Sequence, residues 1–527
     1  MDQRPVTPAS WHLAAPHNVQ TQGLVVSGFG HLETGRALFL EFEWPDDQAA
    51  HKGGWLKALR AVAPITDADS RDARCASIGF TWLGLKKMGL DANALASFDR
   101  PFKEGMFQED RLRRLGDRRD GIWQSNVIDG GPVWSGNIPP DTAAAFAPVE
   151  AFDEAVPADE KPVATPITVH ALVLLYEKDE ATAEKWCAEV SNALAPFAIR
   201  VVHHLPLELR PDKANPQISR EHFGFADGIS QPVPYDAIVT PPPPANASQA
   251  NLVPLGEILM GYANAHNEIA TGPAVAENAA AKAVNLPPHP KGEGFCDLGL
   301  HGSYMVVREL RQDVAKFWTS MDDGAARINA AGPPQGKAID AGWIADRVIG
   351  RDRDGNLLRP GGVLPAVNGM PDNDFAFFDE DRLGRGCPLG SHVRRGNPRD
   401  GLAPTPGDKQ TLLNAANSHR ILRRGRKFGS DIADPRVDDG QDRGLLFICL
   451  NTDIGRQFEF VQQTWMLNKN FAFLFDETDP LIGPSCTFTI PEDPLRRIVP
   501  VKTYVQMAGG EYFFLPSLPA LDYLEVM

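Results

Sequence analysis

The chain has 527 residues, 43% of them apolar, and a formal net charge of −16. It is too apolar for a disordered chain and can bury a sizeable core, and its acidity argues against nucleic acid or an anionic membrane as a general partner. The six cysteines form no Cys-x-x-Cys pair and no zinc spacing, so they read as buried, reduced thiols. No apolar run approaches the roughly 20 residues that span a bilayer. The opening Met-Asp-Gln-Arg-Pro-Val-Thr-Pro lacks the apolar stretch of a secretory signal, so a cytoplasmic location is expected.

A strand is expected at about 36–43, then a helix at about 47–62 with Trp55, Leu59 and Val62 on one face, then a strand near 76–83. After a long excursion, 167–176 reads as a strand. A helix over 180–194 sets Ala183, Trp186, Cys187, Val190 and Leu194 at helical spacing, and a strand from Ile199 closes the unit. The second half repeats the order. A strand starts at Ser303, and a helix at about 311–321 aligns Val314, Phe317, Trp318 and Met321. Strands follow at 419–424 and 445–450, a helix at 453–466, and a last strand at 511–515. Each half is therefore β-α-β-β-α-β. The expected class is α+β: two ferredoxin-like modules, 1–235 and 301–527, packed through antiparallel sheets with long loop insertions. Between them, 236–300 reads as a weakly structured connector, with Pro241–Pro244, an alanine-rich run at 274–284 and Pro287-Pro288-His289-Pro290.

Three segments can carry chemistry. Gly-Phe-Ala-Asp-Gly at 224–228 presents Asp227 on a glycine-flanked turn, as a positioned acid–base group or as a turn aspartate capping its own backbone. Gly-Ser-His-Val-Arg-Arg-Gly-Asn-Pro-Arg at 390–399 presents His392 among Arg394, Arg395 and Arg399, which suit anionic groups or form a solvated basic loop. Arg423 and Arg424 end an apolar strand, so they point to opposite faces and only one can enter a central pocket. His203 and His204 also lie on opposite faces of a strand and cannot chelate one ion, and no His-Glu-x-x-His is present.

Taken together, these segments resemble the dye-decolorizing peroxidase family. Gly-Phe-Ala-Asp-Gly matches its Gly-x-x-Asp-Gly motif, continued by Ile-Ser-Gln-Pro. Ser391-His-Val-Arg-Arg-Gly-Asn-Pro-Arg is similar to its proximal-histidine segment, and Arg420-Ile-Leu-Arg-Arg-Gly to its distal-arginine segment. Further matches include Gly302-Ser-Tyr-Met-Val-Val-Arg-Glu and Gly509-Gly-Glu-Tyr-Phe-Phe-Leu-Pro, and the resemblance runs from about residue 20 to the end. It implies two ferredoxin-like modules holding one haem b per chain. His392 would be the iron ligand, with Arg394 and Arg395 on the haem propionates. Asp227 would be the distal acid–base residue, and Leu445 and Phe447 would line the distal pocket. Arg423, two residues before the glycine, takes the distal arginine position, although Arg426-Lys-Phe-Gly departs from the family's frequent proline and tyrosine. Glu459 would be the carboxylate behind His392. The implied partners are hydrogen peroxide and bulky aromatic electron donors, oxidised one electron at a time through a ferryl intermediate. A homodimer is left open. The alternatives are a haem-handling or haem-degrading protein and a non-enzymatic haem carrier.

Overall fold

The computed structural model describes residues 11–44, 54–136, 167–209, 211, 218–242, 248, 250–270, 272–366, 371–492 and 496–527. In the first half, β1 (Thr34–Phe42), α1 (Gly54–Val62) and β2 (Cys75–Phe80) are followed by β3 (Ala171–Glu177), α2 (Glu180–Leu194) and β4 (Ile199–Glu208). Residues 47–53 of the first predicted helix lie outside the described residues. In the second half, β5 (Ser303–Gln312) and α3 (Val314–Ala331) precede a broken strand β6, made of Leu422–Arg423 and Arg426–Phe428. Then come β7 (Gly444–Asn451), a helix α4 of wide π-type turns (Gly455–Glu459 and Val461–Met466) and β8 (Val505–Leu515).

The first sheet has the order β4-β1-β3-β2 and the second β6-β7-β5-β8, the ferredoxin-like order in both halves. The sheets do not simply stack. They join edge to edge, through Lys427 opposite Glu208 between β6 and β4, and through Phe80 opposite Phe514 between β2 and β8. The eight strands thus close into an antiparallel ring. Closure gives the edge strands partners that two separate sheets would lack.

Alternation along each strand fills both faces of the ring. Ala37, Phe39, Leu172, Leu174, Val307, Ile448 and Phe513 pack into one cluster. Their neighbours Leu38, Leu40, Val173, Val306, Cys449 and Phe514 pack into another, with α1 and α2. Trp186 ties those helices together: it is buried, and its Nε1–H donates to the Val62 carbonyl at 2.8 Å. Trp186→Ala is expected to cost about 3–5 kcal/mol in a denaturant melt; a loss within experimental error would show that this packing does not support the module.

The structure alters two expectations. Helix α3 continues ten residues past the predicted end, because Ala325 and Ile328 extend its buried stripe beyond Asp322-Asp323. The connector is not weakly structured where it is described. Leu255, Ile258 and Leu259 are buried in one core cluster, Met260 and Val275 in the other, and the alanine run holds a strand (Ala274–Ala276) and a helix (Ala279–Ala283).

Candidate active site

A cavity of about 330 Å³ lies against the second sheet. Arg308 and Leu310 of β5, Leu445 and Phe447 of β7 and Met507 of β8 form one wall, Phe458, Val461 and Trp465 of α4 another. Asp227, Arg423 and His392 all line it.

Asp227 ends a two-residue strand, Ala226–Asp227, paired with Ser219–Arg220. Gly224 and Gly228 flank it with φ of +96° and +73°, which only glycine adopts without strain. The Gly228 N–H donates to Asp227 Oδ1 at 2.6 Å, so the aspartate does cap its own turn. The same oxygen lies 3.4 Å from Arg423 Nη1, and 39% of the side chain remains exposed, where it lines the cavity. Arg423 is held on three sides. Its backbone N–H donates to Gln231 Oε1 at 3.0 Å, its Nη2 to the Ser230 carbonyl at 2.9 Å, and its Nη1 to Asp227. Arg424 points the other way, to the carbonyls of Leu24 and Val25 at 2.9 and 2.8 Å, as strand alternation requires.

His392 opens a short helix, His392–Gly396. Its Nδ1 lies 3.0 Å from Asp479 Oδ2 and 3.1 Å from Oδ1. Asp479 is fully buried and also accepts from the N–H groups of Leu481 and Ile482 at 2.9 and 3.0 Å. Burial works against a charged imidazole, but the Asp479 carboxylate outweighs it and holds His392 above the usual histidine range. Asp479 itself is held low: burial opposes the charge, and His392, the Ile482 amide and the Arg395 charge more than offset it.

Three expected residues stand elsewhere. Glu459 does not reach His392; it accepts from Tyr512 OH at 2.8 Å and from Arg111, on the far side of α4. The carboxylate behind His392 is Asp479, in a loop whose only sequence signal is an Asp-Pro turn. Arg394 and Arg395 do not line the cavity. Arg394 donates to the carbonyls of Asp381 and Cys387 at 2.9 and 2.8 Å, and Arg395 to those of Trp465 and Glu477 at 2.8 and 2.7 Å. They are framework arginines, spent on loop carbonyls. Two other arginines form no ion pair among the described residues. Arg399 and Arg420 are buried and converge on Asn251 Oδ1, each at 3.4 Å, and Arg399 Nε and Nη1 have no partner among the described residues. Burial, then the neighbouring Arg399 and Arg423, pulls the Arg420 pKa well down.

Proteins of similar sequence and fold are peroxidases. A multifunctional dye peroxidase of Amycolatopsis sp. is 31% identical over 320 residues, 57% of this chain and 60% of that protein. A dye-decolorizing peroxidase of Mycetinis scorodonius is 30% identical over 380 residues, 67% of this chain and 65% of its own. The chain thus spans a little under two thirds of the curated relatives it matches. Among solved structures, a DyP-type peroxidase of Anabaena sp. superposes with a TM-score of 0.68 at 23% identity, covering 96% of this chain and 94% of that one. A dye-decolorizing peroxidase in complex with 2,6-dimethoxyphenol gives 0.67 at 24% identity, covering 98% and 100%. No family model matches. The sheet order and the relatives define an α+β protein of two ferredoxin-like modules. The chain is similar in sequence to dye-decolorizing peroxidases over about two thirds of its length, and in fold over nearly all of it. No described helix is long and apolar enough to cross a membrane.

Proposed function

We propose that the chain is a haem peroxidase that reduces hydrogen peroxide and oxidises phenols and aromatic dyes by one-electron steps. The observation that carries this reading is that Asp227, Arg423 and the Asp479-bound His392 line one cavity. A structural neighbour described with 2,6-dimethoxyphenol and another with an engineered heme pocket support the donor class and the cofactor.

The residues fit haem. With Nδ1 held by Asp479, His392 keeps Nε2 for iron. Arg420 lines the cavity and shares its Asn251 partner with the buried Arg399 behind it; neither forms an ion pair among the described residues, and they would hold the haem carboxylates. Leu445 and Phe447 supply apolar wall. The other cavity histidine, His419, bonds through Nδ1 to a neutral carbonyl, that of Arg456, and stacks on Phe460, so the carboxylate-backed His392 is the better ligand and we infer one haem. The sequence has no Cys-x-x-Cys-His for covalent attachment, so we infer haem b.

Haem supplies the iron centre that exchanges electrons with peroxide and with the donors. Asp227 takes the proton from one peroxide oxygen and returns it to the other, which leaves as water. Arg423 sets a fixed positive charge where negative charge develops as the O–O bond breaks. Two phenol molecules then give up one electron and one proton each, and the second oxygen also becomes water.

The test is the absorption spectrum of the haem-loaded protein before and after one equivalent of hydrogen peroxide. A Soret band that shifts within seconds, with two equivalents of phenol oxidised per peroxide, is expected. A stable, unresponsive band would overturn the reading in favour of a haem carrier. The two neighbouring arginines should separate cleanly. Arg423→Leu is expected to slow the peroxide reaction by about 10²–10³-fold. Arg424→Leu should leave that rate intact and lower the melting temperature, since it cuts two bonds to Leu24 and Val25. The reverse pattern in stopped-flow and melting data would exchange their roles.

A further inference from the structure

Glu221 lines the same cavity as Asp227 but takes no part in the proposed reaction. Its carboxylate accepts from Phe223 N–H at 2.7 Å, Phe225 N–H at 2.8 Å and Gln312 Nε2 at 2.7 Å. Its own backbone closes the same turn. Glu221 N–H donates to the Phe225 carbonyl at 3.0 Å, and its carbonyl accepts from Gly224 N–H at 2.9 Å. Gln312 belongs to β5, the strand that floors the cavity with Arg308 and Leu310. One side chain thus joins the segment that ends in Asp227 to the rigid sheet of the second module.

We propose that Glu221 is a positioning residue for Asp227, fastening the Phe223–Phe225 turn to Gln312 so that the Asp227 carboxylate stays over the cavity beside Arg423. The inference rests on the peroxidase reading, because that reading is what requires Asp227 to hold one place. The need for a fastener follows from the turn itself. Gly224 and Gly228 give the backbone freedom on both sides of Asp227, so the Gly228 N–H holds the carboxylate within its turn but does not hold the turn against the sheet. A functional side chain on a loop is placed by the groups that lock that loop to regular structure. The turn has other ties, to elements other than the strands β5, β7 and β8 that wall the cavity: Ala226 N–H to the Arg353 carbonyl at 3.0 Å, Arg220 to the Gly224 carbonyl at 3.2 Å and to the exposed Asp354, and Phe223 and Phe225 stacked on Phe317 and Trp318 of α3. Removing the carboxylate would leave two turn amides and a strand-borne amide without an acceptor.

Burial pushes Glu221 up to about 7, despite the three hydrogen bonds, and the nearby Asp227 adds to the rise. The other charged or titratable groups around the cavity are Arg308 on the floor strand, and Arg351, Arg420, Arg423, His392 and His419 on its other walls; Gln312 is neutral, and His222 turns away to the Phe428 carbonyl. The sign follows from linkage. The closed turn prefers the neutral acid, whereas an opened turn lets Glu221 ionise in water. Closure is therefore strongest below the ordinary value of 4.5 and weakens as pH rises to about 7. One proton limits that change to about tenfold per pH unit. The peroxide reaction would then favour acid.

The experiment uses the full chain in two states, free of haem and loaded, as wild type, E221A, E221Q and Q312L. Hydrogen exchange of residues 221–228 is read by mass spectrometry, and the peroxide rate by stopped flow, both across pH 4.5–8. Two results are expected. Exchange protection of that segment falls in E221A and Q312L while the rest of the chain is unchanged, and the peroxide rate falls by about 10- to 100-fold. E221Q, which keeps the length and one acceptor, folds, sits between, and loses the pH dependence of protection that the wild type shows. Unchanged protection in E221A and Q312L with peroxide rates within about twofold of wild type would overturn the proposal, as would a wild-type pH dependence that persists in E221Q. If the wild type itself fails to react with peroxide, the peroxidase reading falls, and lost protection in E221A still supports the fastening role.

Discussion

Asp227→Ala, loaded with haem, is expected to keep its Soret band and to react with hydrogen peroxide about 10²–10⁴-fold more slowly than wild type. The retained band follows from the layout of the cavity. The proposed iron ligand His392 and its support Asp479 stand on other segments, and the arginines proposed for the haem carboxylates, Arg399 and Arg420, are bonded to Asn251 rather than to Asp227. The loss of rate follows from proton handling. Asp227 Oδ1 is already engaged by the Gly228 N–H and Arg423 Nη1, which fixes the group while the carboxylate keeps acceptor capacity towards the cavity. Alanine removes the only carboxylate paired with Arg423 among the described residues. Arg423 stays tied to Ser230 and Gln231, so the positive charge remains without its base. Asp227→Asn separates the two contributions, since the amide keeps the shape but cannot take a proton. Both variants should fall together in stopped flow. An Asn variant at the wild-type rate would move the acid–base role elsewhere, with Glu221 the first alternative.

Much of this fold is legible in the sequence because it depends on local pattern. Helix α2 can be read to its ends: Asp179 caps it, its side chain accepting from Thr182 N–H, and Ala183, Trp186, Val190 and Leu194 form one buried stripe. What stays hidden is long-range or locally contradictory. The two contacts that close the ring pair residues from opposite modules, and no periodicity encodes such a register. Helix α3 looks finished at Asp322-Asp323-Gly324, yet Gly324 belongs to its packed face: a Cβ there would sit 2.9 Å from Ile344 Cδ1. At the site, Asp227, His392 and Arg423 are legible through their joint resemblance to family motifs, each segment alone allowing a structural reading, whereas their supports are not. Asp479 meets His392 from 87 residues away, and Glu221 reaches Gln312 from 91. Arginine identity misleads for the same reason. Arg394 and Arg395 stand beside the histidine in sequence but face loop carbonyls, while Arg420 comes from the distal segment.

The proximal side carries the second large effect. His392→Ala is expected to abolish stable haem binding, because the other lining histidine, His419, is held by the Arg456 carbonyl and by stacking on Phe460. Added imidazole should restore a Soret band if the pocket stays intact, and a band that needs no imidazole would show that His392 is not the ligand. Asp479→Asn asks a finer question. The amide is nearly isosteric, and its carbonyl can still accept from Nδ1–H and from the Leu481 and Ile482 amides, so the ring keeps its orientation. What disappears is the negative charge. A carboxylate on Nδ1 makes the imidazole a stronger electron donor and favours the more oxidised iron. The reduction potential should therefore rise in Asp479→Asn, and haem affinity or peroxide rate should fall about 10–100-fold. A redox titration decides it: an unchanged potential would mean that Asp479 only orients the ring, and that the charge behind the ligand contributes nothing to the chemistry.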